Sequence, residues 1–159
     1  MLASLIRYAA LLFLGGLGIF CAIIAVTPKP PVSLPVPKLA IQQMGKTLEG
    51  SLRHYEGHPV VLLVNTNWGF QGAIIERLLA TPEVAAACFP YNAVVVVADM
   101  TARNEDLEQL LQIHEQPGLP CMLVYPADRS KPPIEVHGIA GDGAALARNI
   151  QSALELSQS

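Results

Sequence analysis

Asn67-Trp68-Gly69-Phe70-Gln71-Gly72-Ala73 lies where one periodicity gives way to another. Before it runs Val60-Val61-Leu62-Leu63-Val64, an unbroken apolar stretch of strand length. After it, Ala73 to Ala80 carries Ile74, Ile75, Leu78 and Leu79 on one side at helical spacing. A buried-type strand that turns directly into a helix is the opening half of an α/β unit. The turn itself holds the only tryptophan of the chain between Asn67 and Gly69.

The pattern continues outward from that junction. Leu39 to Tyr55 has Ile41, Met44, Leu48, Leu52 and Tyr55 near helical period, and Gly57-His58-Pro59 ends it. Thr81-Pro82-Glu83 reads as a helix start, with Thr81 as cap and Pro82 at the first helical position. Ala93 to Ala98 is a strong strand with four consecutive valines. Asn104 to His114 is helical through Leu107, Leu110, Leu111 and Ile113. Met122–Tyr125 and Ile134–Ile139 read as strands joined by a turn around Ala127-Asp128-Arg129-Ser130. Asp142 is placed to cap a last helix running through Ala153. The sum is an α/β domain over residues 39–159 with a parallel part and a terminal hairpin.

Several local patterns agree with one family in order and spacing. They are Gly57-His58-Pro59 entering the strand, Asn67-Trp68, Thr81-Pro82-Glu83-Val84, Ala98-Asp99-Met100-Thr101-Ala102-Arg103-Asn104, Gly118-Leu119-Pro120 and His137-Gly138. Together they resemble the C-terminal thioredoxin-like domain of transmembrane thiol-disulfide reductases of the DsbD type. The resemblance implies a thioredoxin-like fold, a central mixed sheet flanked by helices. It implies a cis proline at Pro120 facing the active site. It places Asn67-Trp68 where the family has Asp-Trp before its first cysteine.

The departures from that family carry the functional reading. By the resemblance, Gly69 and Gly72 stand at the two cysteine positions. Thiol–disulfide exchange needs one thiolate to attack and a second thiol to resolve the mixed disulfide, and glycine supplies neither. The family's buried acid, six residues before the first cysteine, is Leu63 here. Its frequent lysine after the second cysteine is Ala73. No catalytic residue is therefore assigned. Trp68, Phe70, Leu119, Pro120 and Cys121 are the candidate binding residues, an apolar face suited to a partner surface or an extended peptide.

Three cysteines remain. Cys21 lies in an apolar span, and Cys88 reads as a small buried hydrophobe. Cys121 follows Pro120 directly and is expected beside the active-site position, where a lone thiol offers the alternative of a one-thiol oxidoreductase. A Cys88–Cys121 bridge stays open on sequence grounds. No metal or cofactor site is expected: His54 and His58 are four apart without a third ligand in sequence, and no nucleotide-binding glycine motif occurs.

The N-terminal part is of another kind. Tyr8 to Val26 holds no charge and is nearly all apolar. Its nineteen residues rise roughly 28 Å as helix, close to the ~30 Å of a hydrocarbon core. An uncleaved anchor over residues 1–26 is expected. A cleaved signal peptide competes, but Ala25-Val26-Thr27 is the nearest approach to a cleavage site and Pro28 follows at once. Residues 27–38 hold five prolines, which favours an extended spacer of roughly 35 Å. Basic residues alone (Arg7 against Lys29, Lys38 and Lys46) favour a cytoplasmic domain. The family resemblance implies the periplasmic side of a bacterial inner membrane instead.

Residues 39–159 carry thirteen acidic against seven basic side chains, a formal −6 without a basic stripe. Nucleic-acid binding is disfavoured on that ground. The sequence thus reads as a single-pass, membrane-anchored, redox-inactive thioredoxin-like protein. Its expected role is that of an accessory subunit or assembly factor binding a protein partner in the membrane or periplasm.

Overall fold

The computed structural model describes residues 39–114, 118–139 and 141–159. The anchor expected over residues 1–26 and the spacer over 27–38 lie outside the described residues. Among the described residues, no helix is long and apolar enough to cross a membrane.

Among the described residues, five strands and five α-helices follow one another along the chain. They are β1 (Ile41–Gln43), α1 (Leu48–His54), β2 (Val60–Asn65), α2 (Phe70–Leu79), α3 (Pro82–Cys88), β3 (Val94–Asp99), α4 (Glu105–Ile113), β4 (Cys121–Tyr125), β5 (Ile134–Glu135) and α5 (Gly143–Gln158). One sheet has the order β1-β3-β2-β4-β5. The first three strands in that order are parallel, and β4 and β5 are antiparallel to their neighbours. β2 is central, and all six of its residues are buried. Its unbroken apolar run is what burial on both sheet faces demands.

Alternation along the strands sorts the core into two layers. Val61, Leu63, Val95, Val97, Met122 and Val124 face one side and pack with Ile75, Leu79, Val84, Cys88, Leu146, Ile150 and Leu154 of α2, α3 and α5. Val60, Leu62, Val64, Val96, Ala98, Cys121 and Leu123 face the other and pack with Leu107 and Leu110 of α4. Leu48 and Leu52 of α1 cover the same second layer. Cys88 and Cys121 therefore lie on opposite faces of the sheet, and both are free thiols.

The strongest departure from the sequence expectation is at the start. Residues 39–55 form not one helix but a three-residue edge strand followed by a seven-residue helix. Ile41 pairs with Val95, and Leu39 and Ile41 pack on the first core layer. Met44, Leu48, Leu52 and Tyr55 pack on the second. The apolar spacing serves two faces of a sheet rather than one face of a helix. Thr47 sets the helix start, its Oγ1 accepting from the Gly50 N–H at 3.1 Å. Gly57, at φ +83°, turns the chain out of α1 in a conformation suited to glycine.

Smaller differences concern boundaries. α2 begins at Phe70, three residues before the apolar pattern starts. Thr81 occupies the position before α3, but its hydroxyl donates back to Leu78 O at 2.7 Å instead of capping. Asn104 and Asp142 do cap, accepting from Leu107 N at 3.2 Å and Ala145 N at 2.7 Å. β5 keeps only Ile134–Glu135 of the expected 134–139. α5 continues five residues beyond Ala153, because Leu154 and Ser157 are still buried.

Candidate functional site

The parallel strands β2 and β3 end together, and the segments that follow them build one end of the molecule. Met100 N–H donates to Asn65 O at 2.7 Å, extending the β2–β3 ladder past its last pair. Asn67 N–H donates to Thr101 Oγ1 at 2.9 Å. The Asp99 carboxylate accepts from the Thr101 N–H at 2.8 Å and from its hydroxyl. These two bonds hold the Asp99 carboxyl below its usual range. Gly69 N–H closes the turn on Thr66 O at 3.2 Å. The turn preceding α2 is thus tied to its neighbours by its own backbone.

Two large aromatics project from this tied turn. Trp68 is 76% exposed and Phe70 is 81% exposed. An apolar side chain left that open in a folded domain earns no burial energy of its own. Beside Phe70 lies a groove of about 450 Å³ formed by α2 (Phe70, Gln71, Ile74, Ile75, Leu78), Leu119, Pro120, Ile139 and Gly141. None of these nine side chains is charged. The Leu119–Pro120 peptide is cis, as the resemblance implies.

Of the five candidate binding residues, the structure brings Phe70, Leu119 and Pro120 to the groove. Trp68 stands exposed in the turn before Phe70 and does not line it. Cys121 does not line the groove either. It is 3% exposed and belongs to the second core layer, pairing with Val64 across β2–β4. Burial, and secondarily the charge of Glu135, pushes its thiol from an ordinary 9.0 up to about 11. Burial alone does the same to Cys88. A thiol that titrates near 11 is roughly one part in ten thousand thiolate at pH 7, and the thiolate is the nucleophile.

Ile74 and Leu78, read from sequence as one helix side with Ile75 and Leu79, and Ile139, read as a strand end, were not expected in a groove. The signal was present: Phe70, Ile74 and Leu78 follow one another at four-residue steps, while Ile75 and Leu79 make the core stripe. Leu78 also packs against the first core layer, and Phe70 and Ile74 are the part of this second stripe left exposed. His58, weighed as a metal ligand, instead lies at 3.3 Å from Asn92 O and 3.0 Å from Asn92 Nδ2 through its Nδ1. Among the described residues, no group of three or more His, Cys, Asp or Glu is placed to hold a metal ion.

The fold has solved counterparts. The fold is that of thioredoxin. Spinach chloroplast thioredoxin f superposes with a TM-score of 0.53 at 15% identity, over 77% of this chain and 96% of that one. Chloroplastic thioredoxin z gives 0.51 at 18%, over 76% and 96%. A DsbH oxidoreductase gives 0.52 at 18%, over 85% and 99%. No protein-family profile matches the sequence, and no curated protein matches it.

The thiol environment makes a pH prediction. Both thiols titrate higher in the folded protein than in the unfolded chain, where ~8.5 is ordinary. A raised pKa contributes stability that is fully present below the unfolded value and lost as pH rises through the folded one. The melting temperature should therefore fall between about pH 9 and 11. At pH 7.5 iodoacetamide should leave Cys88 and Cys121 unmodified in the folded domain and label both in denaturant. Prompt labelling of Cys121 in the folded protein contradicts its burial.

Proposed function

We propose that the domain is a protein-binding module without dithiol chemistry, held to a bacterial inner membrane by residues 8–26. On this reading Gly69 and Gly72 stand where thioredoxins carry their redox pair, and the fold has been kept for its surface. The single observation that supports it most is the site itself. The turn between β2 and α2 contains no thiol, yet it presents Trp68 and Phe70 next to an uncharged groove. Exposed aromatic area beside an apolar concavity is the composition of a binding hot spot. The alternative, an oxidoreductase working through Cys121 alone, draws no support from a thiol that is buried and protonated at neutral pH.

The partner is read as a protein of the membrane or periplasm, and the chain as an accessory subunit or assembly factor of an envelope complex. A chimera tests whether the domain or its tether does the binding. It keeps residues 1–38 and replaces 39–159 with an unrelated soluble domain. The full chain, tagged and drawn from detergent-solubilised membranes, should retain a partner that the chimera loses. Equal capture by both would assign binding to the first 38 residues and overturn the reading.

Topology has its own test. Alkaline phosphatase fused after Ser159 should be active, and a fluorescent protein that matures only in the cytoplasm should stay dark there. The reverse pattern sinks the periplasmic placement, and recovery of a processed, soluble chain sinks the anchor.

A further inference from the structure

Asn65 ends β2 and is 4% exposed, with buried Thr66 beside it. The Asn65 amide nitrogen Nδ2 donates to Glu76 Oε1 at 2.8 Å. That contact fixes which way the amide points: its oxygen faces Gly72. A Cβ built on Gly72 would overlap Oδ1, Cγ and Nδ2 of Asn65. A Cβ on Gly69 would stand 3.0 Å from Thr66 Oγ1, tighter than side chains normally pack. Gly69 before α2 and Gly72 in its first turn are therefore packed against the two polar residues buried at the strand end.

We propose that Asn65 is the positioning residue of the binding face. Its amide fills the volume that a side chain at position 72 would need. Through Glu76 it also fastens the first two turns of α2 to the end of β2. Trp68 and Phe70 are then presented from a fixed turn, which lowers the ordering cost of binding. The benefit to a partner rests on the binding reading above, whereas the packing is measurable with no partner present.

The test is a two-residue cycle in the full chain in detergent micelles: Gly72→Ala, Asn65→Gly and the double variant. Overpacking should make Gly72→Ala lower the melting temperature by roughly 5 °C when Asn65 is present. With Asn65→Gly the same methyl enters freed space, and Gly72→Ala should be neutral or stabilising. Trp68 is the sole tryptophan, so its fluorescence depolarisation reports on the turn. Asn65→Gly should increase its fast depolarisation with far-ultraviolet dichroism unchanged, and the double variant should return towards the parent value. Equal melting losses for Gly72→Ala in both backgrounds would overturn the proposal, as would unchanged Trp68 depolarisation in Asn65→Gly. Should Asn65→Gly not fold, Glu76→Ala removes the fastening bond to Nδ2 while the Asn65 side chain keeps its volume beside Gly72. Faster depolarisation of Trp68 in that variant supports the fastening role, and an unchanged signal overturns it.

Discussion

Trp68→Ala should weaken binding of the captured partner by about 30-fold, the equivalent of roughly 2 kcal/mol for truncating a buried aromatic anchor. Phe70→Asp should do at least as much, because it sets a charge at the rim of a groove lined by uncharged side chains. The same substitutions should scarcely touch the fold. Both side chains are more than three-quarters exposed, and surface changes of that kind usually stay within about 0.5 kcal/mol. The measurement is a pair of titrations of the purified partner against parent and variant, with thermal melts alongside. A loss of affinity that follows a matching loss of stability would point to misfolding instead. Unchanged affinity for both variants would remove this face from the account.

Arg129→Ala should lower stability by about 3 kcal/mol, or roughly 10 °C in melting temperature for a domain of this size. The reason is a clasp. One guanidinium nitrogen of Arg129 donates to Tyr55 O at 3.1 Å and His58 O at 2.9 Å, in the turn between α1 and β2. The other donates to Tyr125 O at 3.3 Å and to Pro126 O at the end of β4. Four backbone carbonyls from two segments converge on a single side chain. Its Nε is buried without a partner among the described residues, so part of the gain is already offset. Removing the side chain leaves the carbonyls to find water at a half-closed seam. Arg129→Lys should recover less than half of the loss, because an ammonium cannot reproduce the planar fork. A melt of Arg129→Ala within 2 °C of the parent would contradict the clasp.

How much could be read in advance follows burial. β2, β3 and β4 were legible because strands buried on both faces need continuous apolar runs, and Val94–Val97 can hardly be anything else. β1 was not, since three residues at a sheet edge leave no period to detect, and Ile41 and Met44 serve opposite core layers. The early start of α2 was hidden because Gly69 caps it without a side-chain hydrogen bond. Trp68 and Phe70 stood out as aromatics in a turn flanked by glycine. Asn65 did not, because an asparagine after five apolar residues reads as the end of a strand. Its use depends on Gly72 and Glu76, seven and eleven residues away, which only the folded turn brings to it.

The place of Cys121 separates chain position from sheet geometry. It follows the cis Pro120, and the resemblance put it beside the active-site position. The structure keeps its backbone at that end, paired with Val64 just before the turn, but its side chain is buried in the second core layer, while Leu119 and Pro120 reach the groove. It belongs to the same core layer as Leu123, and burial raises its thiol.

The most direct measurement of the central claim is dithiothreitol-dependent reduction of insulin by the purified protein and by Cys121→Ser. Turnover by thioredoxins requires a thiolate that attacks and a second thiol that releases the product. Neither protein should reduce insulin above the uncatalysed background, and the two traces should be identical. Measurable turnover by the parent that disappears in Cys121→Ser would contradict it and make this protein an enzyme.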